Sequence, residues 1–525
     1  MEQKERILPV GIQSFEKIRQ EGFLYVDKTD LIWQLTHSGY QYCYLSRPRR
    51  FGKSVLVDTL QCYFEGRKEL FEGLKMMSLE KEWVKRPVIR LDMSRGGATA
   101  ETLRSYLDAC FTKYEEIYET ESKETYQLAD RFDAIITTAY KKTGQQVAIL
   151  IDEYDSPLQH SWKTPAHEEC TAIYRSVFAI LKADDVYEKF VFITGITKFT
   201  QISLFSVLND LTNISFMPQF APLCGITETE ITENFQPEIE KMGEINDWKT
   251  EEVHTRLKQH YDGYHFCRRN KVDVYNPFSL INALAEGEIR NYWVSSGATS
   301  MLPKFVDDME LRLEYFDHCY IDGDTLESSD VTGGGAELFL YQSGYLTIKG
   351  YEDGTYLLGF PNQEVRQALY KVVLPALTMR TLSEAISTQS QLRLYMNRGD
   401  VQESMRCLKA LIADVPYSNK KMASMHMEER YRLIVSSIFN ALGFRVQVER
   451  MVARGRIDLV VWTVRTVYVI ELKLKNNGGL SAATKQIKET DYMEPFKNGP
   501  HKVIGLAIEL DDQGKGVLDW EEVKE

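Results

Sequence analysis

Between residues 40 and 220 the chain alternates strand-sized apolar runs with amphipathic helical stretches, and this alternation restricts the fold more than any other feature. The runs are YQYCYLS, PVIRLDMS, QVAILIDEYDSP and KFVFITGITKF, with helices expected from Ser54, near 100–118 and near 166–182. Strands separated by helical patterns build βαβ units, and stacked units give a mostly parallel sheet. Ligands of such sheets collect outside the carboxyl ends of the strands. A chain of 525 residues has room for about three or four domains. From about 226 to 390 the pattern is mainly helical, opened by the capping sequence TETE and interrupted by the Gly/Ser-rich loop ESSDVTGGGAEL. A polar, helix-like stretch around 386–427 leads into a C-terminal α/β unit. The expected division is 1–225, an α/β sheet domain; 226–390, a mainly helical domain; and 391–525, an α/β domain with leading helices.

The first helix of the alternating region is preceded by RPRRFGKS, which ends like a phosphate-binding loop. That loop follows G-x-x-x-x-G-K-[ST]: Gly-rich backbone cradles phosphates, the Lys reaches the β/γ-phosphates and the hydroxyl holds Mg²⁺. Gly52, Lys53 and Ser54 fit, but Arg47 stands where the first Gly belongs. The tripeptide GK[ST] alone recurs by chance in roughly one chain of this size in three or four, so context decides. A strand ending at Leu45 and a helix beginning at Ser54 aim backbone N–H groups and the helix dipole at an anion. Arg49 and Arg50 add positive charge. The candidate nucleotide-binding set is therefore Arg47, Arg49, Arg50, Phe51, Gly52, Lys53 and Ser54. Hydrolysis also needs a carboxylate for Mg²⁺ and a base. In VAILIDEYD, Asp152 follows five apolar residues and should emerge at the strand's carboxyl end, where with Ser54 it would hold the metal. Glu153 is the candidate general base, and Thr194 or Thr197 on the next run is placed to sense a γ-phosphate.

Near the C-terminus, RGRIDLVVWT and TVYVIELKLK are both strand-like. A hairpin centred between Val464 and Arg465 pairs Asp458 with Glu471 and puts Lys473 on the same face as Glu471. Two carboxylates about 5 Å apart repel by on the order of 3 kcal/mol at an effective dielectric near 20. A divalent cation neutralises them economically, since hard oxygen ligands suit Mg²⁺ and substrate phosphate completes its shell. Asp458 and Glu471 are thus candidate metal ligands, and Lys473 a candidate to orient or deprotonate a water or to stabilise phosphorane charge.

The stretch GIQSFEKIRQEGFLYVDKTDLI, followed by RPRRFGKS, LIDEYDSPL and FITGITKF, resembles the prokaryotic AAA-ATPase-like proteins whose C-terminus carries a PD-(D/E)XK nuclease-like domain. In that family an Arg-Pro-Arg-Arg start of the loop is usual, which accounts for Arg47. The landmarks YDGYHF, VYNPFSL, YWVSSG and YQSGYLTI extend the resemblance along most of the chain; by themselves they are turn chemistry and aromatic core, and no catalysis is assigned to them. The resemblance implies a P-loop-type, mostly parallel ATPase-like sheet domain, a helical middle region and a restriction-endonuclease-like α/β domain. It also implies a Glu on the helix before the hairpin, here Glu428 or Glu429, and a Gln on the helix after it, matched by Gln486. Thr490 stands where a Lys is expected. Two readings of the N-terminal segment stay open: a cover over the nucleotide base, or an ordinary helix and strand capping the sheet.

Net charge is −13, yet residues 420–502 carry 15 Lys and Arg against 8 Asp and Glu, a surplus of 7 that leaves −20 for the rest. One end suits a polyanion, with Arg454, Arg456, Lys475 and Gln486 as candidate nucleic-acid contacts. The longest apolar runs are far below the roughly 20 residues of a membrane span, and the N-terminus lacks an apolar targeting stretch, so a cytoplasmic, membrane-free protein is expected. Eight cysteines stand singly, with no C-x-x-C pair, as reduced structural thiols. The expected function is ATP binding and hydrolysis coupled to a Mg²⁺-dependent nuclease, with Mn²⁺ as an alternative ion and DNA favoured over RNA. The alternatives are a nucleotide-switched binding module on an inactive nuclease fold, and a signalling or defence ATPase that forms homo-oligomers.

Overall fold

The computed structural model describes residues 7–121, 125–198, 211–269, 272–293, 302, 313–328, 335–378, 382–413 and 425–524. Residues 329–334 of the Gly/Ser-rich loop, YWVSSG beyond Trp293, and 414–424 of the polar stretch lie outside these. Two compact units divide the chain: Met1–Met301 with Cys319–Asn362, and Leu302–His318 with Gln363–Glu525. The residues expected as a middle domain are shared between the two, changing unit after Met301, His318 and Asn362.

In the first unit, β1 (Tyr42–Ser46), β2 (Val88–Asp92), β3 (Val147–Asp152), β4 (Glu188–Gly195) and β5 (Thr212–Asn213) form a sheet of order β2-β3-β4-β1-β5. Every neighbouring pair is parallel. All six residues of β3 are buried, as an inner strand covered on both faces requires. Helices Lys53–Phe64, Ala100–Tyr118 and His167–Phe178 match the expected positions. A further helix, Leu128–Thr143, was not anticipated; it buries only Phe132, Ile135, Ile136 and Ala139 of its sixteen residues, so its apolar signal is thin.

The TETE sequence does cap a helix. Thr227 and Glu230 form a reciprocal capping box at the start of Glu228–Asn234. This helix packs with Gln236–Asn246, Thr250–Tyr261 and Pro277–Glu286 around Phe235, Ile239, Met242, Leu257 and Tyr261. The helical region also carries a small antiparallel sheet that the sequence pattern did not announce: β6 (Cys319–Asp322), β7 (Thr347–Glu352) and β8 (Thr355–Gly359), in the order β6-β8-β7.

The second unit ends in a five-stranded mixed sheet of β9 (Arg445–Val452), β10 (Gly455–Trp462), β11 (Thr466–Leu474), β12 (Lys502–Leu510) and β13 (Val517–Val523), ordered β13-β12-β11-β10-β9. β9, β10 and β11 form an antiparallel meander. The parallel β11–β12 pair needs a crossover, which is supplied by the helix Gly479–Glu489. The helix Met427–Ala441 precedes β9 and buries Leu433, Ile434, Val435, Ile438 and Phe439. All eight cysteines are free, seven of them buried. No helix of the described residues is long and apolar enough to cross a membrane.

Candidate functional site

The loop that joins β1 to its helix sits at the carboxyl edge of the first sheet. Gly52 caps the helix Lys53–Phe64 with φ +85°, and Arg50 takes φ +67°. A Cβ at Gly52 would meet nothing within 4 Å, so it is the backbone angle that calls for glycine there. A left-handed residue directly ahead of a twelve-residue helix leaves the helix's first N–H groups facing the loop, where an anion is favoured. Lys53 is buried and donates from Nζ to the carbonyls of Arg47 (2.9 Å) and Pro48 (3.0 Å). Burial lowers its pKa, while Glu153, Asp152 and Asp155 work to keep it charged.

Arg47 requires a correction. Its guanidinium, expected among the nucleotide contacts, points into the protein, 1% exposed. It donates to the carbonyls of Ser46 (2.8 Å), Ser215 (3.0 Å), Phe220 (3.2 Å) and Ala221 (3.5 Å) and lies 4.1 Å over the Phe266 ring. Where a glycine would turn freely, a buried cation staples the turn to distant backbone. Arg47→Met should therefore destabilise the first unit by about 2–4 kcal/mol through carbonyls left without donors, and Arg47→Gly should do so as well, although it restores the usual loop pattern. Thermal unfolding of both variants checks this; unchanged midpoints would contradict it.

Asp152 ends β3, 2% exposed, and burial pushes its pKa up to about 6 against the opposing pull of the nearby Ser54 hydroxyl. The expected metal-holding pair, Ser54 and Asp152, are thus neighbours at the sheet edge. Asp92, the last residue of β2, pairs in register with Asp152 and adds negative charge. Glu153 follows with φ +46°, its N–H donating to Asp152 Oδ1 at 3.0 Å. A non-glycine residue in that region stores strain of the kind found at functional sites.

Neither threonine on β4 or just after it presents its hydroxyl as expected. Thr194, fully buried, donates to the Leu45 carbonyl (2.9 Å), and Thr197 donates to Asp155 Oδ2 (2.6 Å). Asp155, which sequence reasoning passed over, also accepts from the N–H groups of Ile196 (3.1 Å) and Thr197 (2.6 Å) and from Gln159 (2.5 Å). It ties the end of β3 to the end of β4. Its signal was position: it falls one turn after Asp152, at the same sheet edge.

The loop opens into a cavity of about 460 Å³, in the range of small-molecule sites. Polar lining comes from Arg49, Arg50, Lys53, Ser54 and Glu153, and apolar lining from Ile12, Leu24, Val26, Ile226, Phe235 and Ile281. The N-terminal segment is therefore a wall of the cavity. Lys28, part of that wall, forms a 2.6 Å ion pair with Glu230 of the capping box. Phe51, also part of the cavity lining, sets its ring in an aromatic nest, 4.7 Å from Tyr264 and 5.6 Å from Phe266. A side chain at Gly344, in YQSGYL, would collide with the Pro48 ring.

In the second unit the register follows the expected hairpin as far as Leu459↔Ile470. At the next step the ladder opens: Asp458 Oδ2 accepts the Leu472 N–H at 2.9 Å. On its other side β10 loses pairing at Asp458 as well, opposite Glu449, which takes φ +50°. Asp458 and Glu471 are 5% and 1% exposed. Lys473 Nζ donates to Glu471 Oε1 at 2.8 Å and stands 4.0 Å from Glu428 Oε1, so Glu428 is the helix glutamate brought to the site. Glu471 Oε2 is buried without a hydrogen-bond partner. Burial and Asp458 push the Glu471 pKa up to about 7, and Lys473 opposes them.

Such an orphaned, buried carboxylate oxygen beside a second carboxylate fits a hard divalent cation. No group of three or more His, Cys, Asp or Glu able to hold a metal occurs among the described residues. A cation here would thus take two side-chain carboxylates and complete its shell with water, backbone or phosphate oxygens, as Mg²⁺ readily does. Sequence reasoning missed Arg432, whose Nη2 lies 3.1 Å from Glu449 and Nη1 3.7 Å from Asp458. The spacing could have found it, for Glu428 and Arg432 share a helix face.

Of the expected nucleic-acid contacts, Arg456 pairs with Glu449 (3.0 Å) and Arg454 with Asp491. Gln486 donates to the Tyr492 hydroxyl (3.1 Å), which in turn donates to the Arg456 carbonyl (2.8 Å). Lys475 is exposed in the turn after β11. Thr490 donates to the Gln486 carbonyl of its own helix.

The pH response of the carboxylate pair has a defined sign. Glu471 holds its proton in the folded chain up to about 7 but gives it up near 4.5 when unfolded. Its stabilising share is therefore complete below 4.5 and lost as pH rises through 7. Glu188, pushed up to about 8 by burial, adds a slope of the same sign. In metal-free buffer the thermal midpoint should fall across this window less steeply in Glu471→Gln than in the wild type; parallel curves would contradict the assignment.

Two family models match the chain: one described as a predicted AAA-ATPase over residues 9–205, the other as the PD-(D/E)XK nuclease superfamily over residues 426–520. The chain is also 31% identical over 529 residues to the "Uncharacterized protein in vnfD 5'region" of Azotobacter chroococcum mcd 1, covering 98% of each chain.

Proposed function

Because the chain belongs to the predicted AAA-ATPases that carry a C-terminal PD-(D/E)XK nuclease-superfamily domain, we propose that it binds and hydrolyses ATP and cleaves phosphodiesters of nucleic acid, DNA in preference to RNA, with Mg²⁺. The observation that carries the nuclease half is the buried pair Asp458 and Glu471 with one oxygen unpartnered and Lys473 at 2.8 Å. When bound there, Mg²⁺ would supply Lewis acidity toward the scissile phosphate and a more acidic water.

The chain's own groups divide the remaining work. Glu471 and Asp458 would hold the ion, the latter oriented by the Leu472 N–H. Lys473 hands a positive charge to the attacking side, where it orients a water or meets the charge that develops on the phosphate oxygens. Arg432 offsets the negative charge of Asp458 and Glu449. Arg456 and Lys475 receive the nucleic-acid backbone, the former by leaving Glu449 for a phosphate. In the ATPase half, Lys53 would exchange its two loop carbonyls for the β- and γ-phosphates, Ser54 and Asp152 are the residues that would hold Mg²⁺, and Glu153 would accept a proton from the attacking water. Support comes from the cavity at the loop, lined by Lys53, Ser54 and Glu153, and from Asp152 at the end of the neighbouring strand.

Mn²⁺ titrated into nucleotide-free protein tests the metal assignment by calorimetry. Binding should be lost in Asp458→Asn and kept in Ser54→Ala; equal binding by the wild type and Asp458→Asn would refute it.

A further inference from the structure

The sequence landmark VYNPFSL had no task beyond turn chemistry and aromatic core, and its place in the fold gives it one. Asn276 caps the helix Pro277–Glu286 by accepting the Ser279 N–H at 3.1 Å, and its Nδ2 reaches the Arg49 carbonyl of the phosphate loop at 3.5 Å. Two residues on, the Phe278 ring lies under the Arg50 guanidinium, 4.7 Å from the ring centroid. Both side chains line the 460 Å³ cavity beside Lys53 and Ser54. Arg50 is exposed and its backbone is left-handed, so nothing in its own segment fixes where its long side chain points.

We propose that Phe278 is a positioning residue for the phosphates of the bound nucleotide, acting through Arg50. The negative ring face attracts the guanidinium and holds it at the cavity before the ligand arrives, so less rotamer freedom is lost on binding. A planar guanidinium stacked on one face keeps its N–H edge free for phosphate oxygens. The loop thereby gains, from a segment more than 200 residues downstream, part of the preorganisation that a Gly-rich loop builds from its own backbone. The inference rests on the reading of the cavity as a nucleotide site.

Competition against a fluorescent ATP analogue, measured for ATP and AMP with wild type, Phe278→Leu, Arg50→Ala and the double variant, tests it. Phe278→Leu keeps the apolar wall and removes the ring face. It should weaken ATP about fivefold and AMP markedly less, and it should add nothing in the Arg50→Ala background. Phe278→Tyr, which keeps the ring face, should bind as the wild type does. Equal losses for ATP and AMP, or additive losses in the double variant, would overturn the role of Phe278 while leaving the nucleotide site standing. A wild type that binds no ATP, or binds it no better than Lys53→Ala, would overturn both.

Discussion

Glu471→Ala should abolish nucleic-acid cleavage, by at least about 10³-fold, without unfolding the chain. The two halves of that expectation have separate causes. Cleavage is lost because the cation would keep only Asp458 among the side-chain ligands identified at the site, and Lys473 would lose the partner that holds its Nζ at 2.8 Å; losing a preorganised electrostatic group typically costs about 10²–10³ in rate, and losing the ion costs more. The fold survives because the wild-type carboxyl group is itself a burden: it is 1% exposed, one of its oxygens is unpartnered, and it faces Asp458. Without metal the midpoint of Glu471→Ala should equal or exceed that of the wild type near pH 8, where the wild-type group is ionised. With saturating Mg²⁺ the order should reverse, since an ion stabilises only the chain that binds it. A midpoint more than a few degrees below wild type in metal-free buffer would show that the pair is structural and neutralised in some other way.

Lys53→Ala should weaken ATP by about 100-fold or more and remove hydrolysis, with much less effect on stability. In the wild type Nζ is buried and bonded only to two loop carbonyls, so no carboxylate pair is broken by the change. Those carbonyls hold the charge in the place where a triphosphate would take it over, and burial, which lowers the lysine pKa, strengthens its attraction to an incoming polyanion. Arg47→Met is the counterpart, expected to damage stability first, because Arg47 faces backbone and ring while Lys53 faces the cavity. Calorimetry with ATP and thermal unfolding on both variants separate the two; similar profiles for Lys53→Ala and Arg47→Met would contradict the division of labour.

What the sequence made legible was local. The hairpin register through Leu459↔Ile470, which brings Asp458 beside Glu471, follows from two adjacent strands and one turn, and Asp152 at the end of β3 follows from five apolar residues before it. What it hid was long-range or conformational. The Arg47 side chain ends on residues 215–221, some 170 positions away, and no loop pattern encodes that. The hydroxyl of Thr194 is taken by a carbonyl of the neighbouring strand, a contact fixed by the strand order β4-β1 and not by its own run. The positive φ of Glu449, which opens the ladder beside Asp458, has no residue signature, for glutamate rarely adopts it. Arg432 and Phe278 illustrate the third case: each sat in a stretch already marked as notable, but its partner lies on a different element.

The most direct test of the account is cleavage of end-labelled single- and double-stranded DNA and RNA by the wild-type chain, with Mg²⁺ or Mn²⁺, each with and without ATP. The account predicts metal-dependent cleavage, strongest on DNA, at a rate that changes when ATP is added. No cleavage of any of these under either metal, by protein that binds ATP tightly, would contradict it and leave a nucleotide-switched binding protein on a nuclease fold.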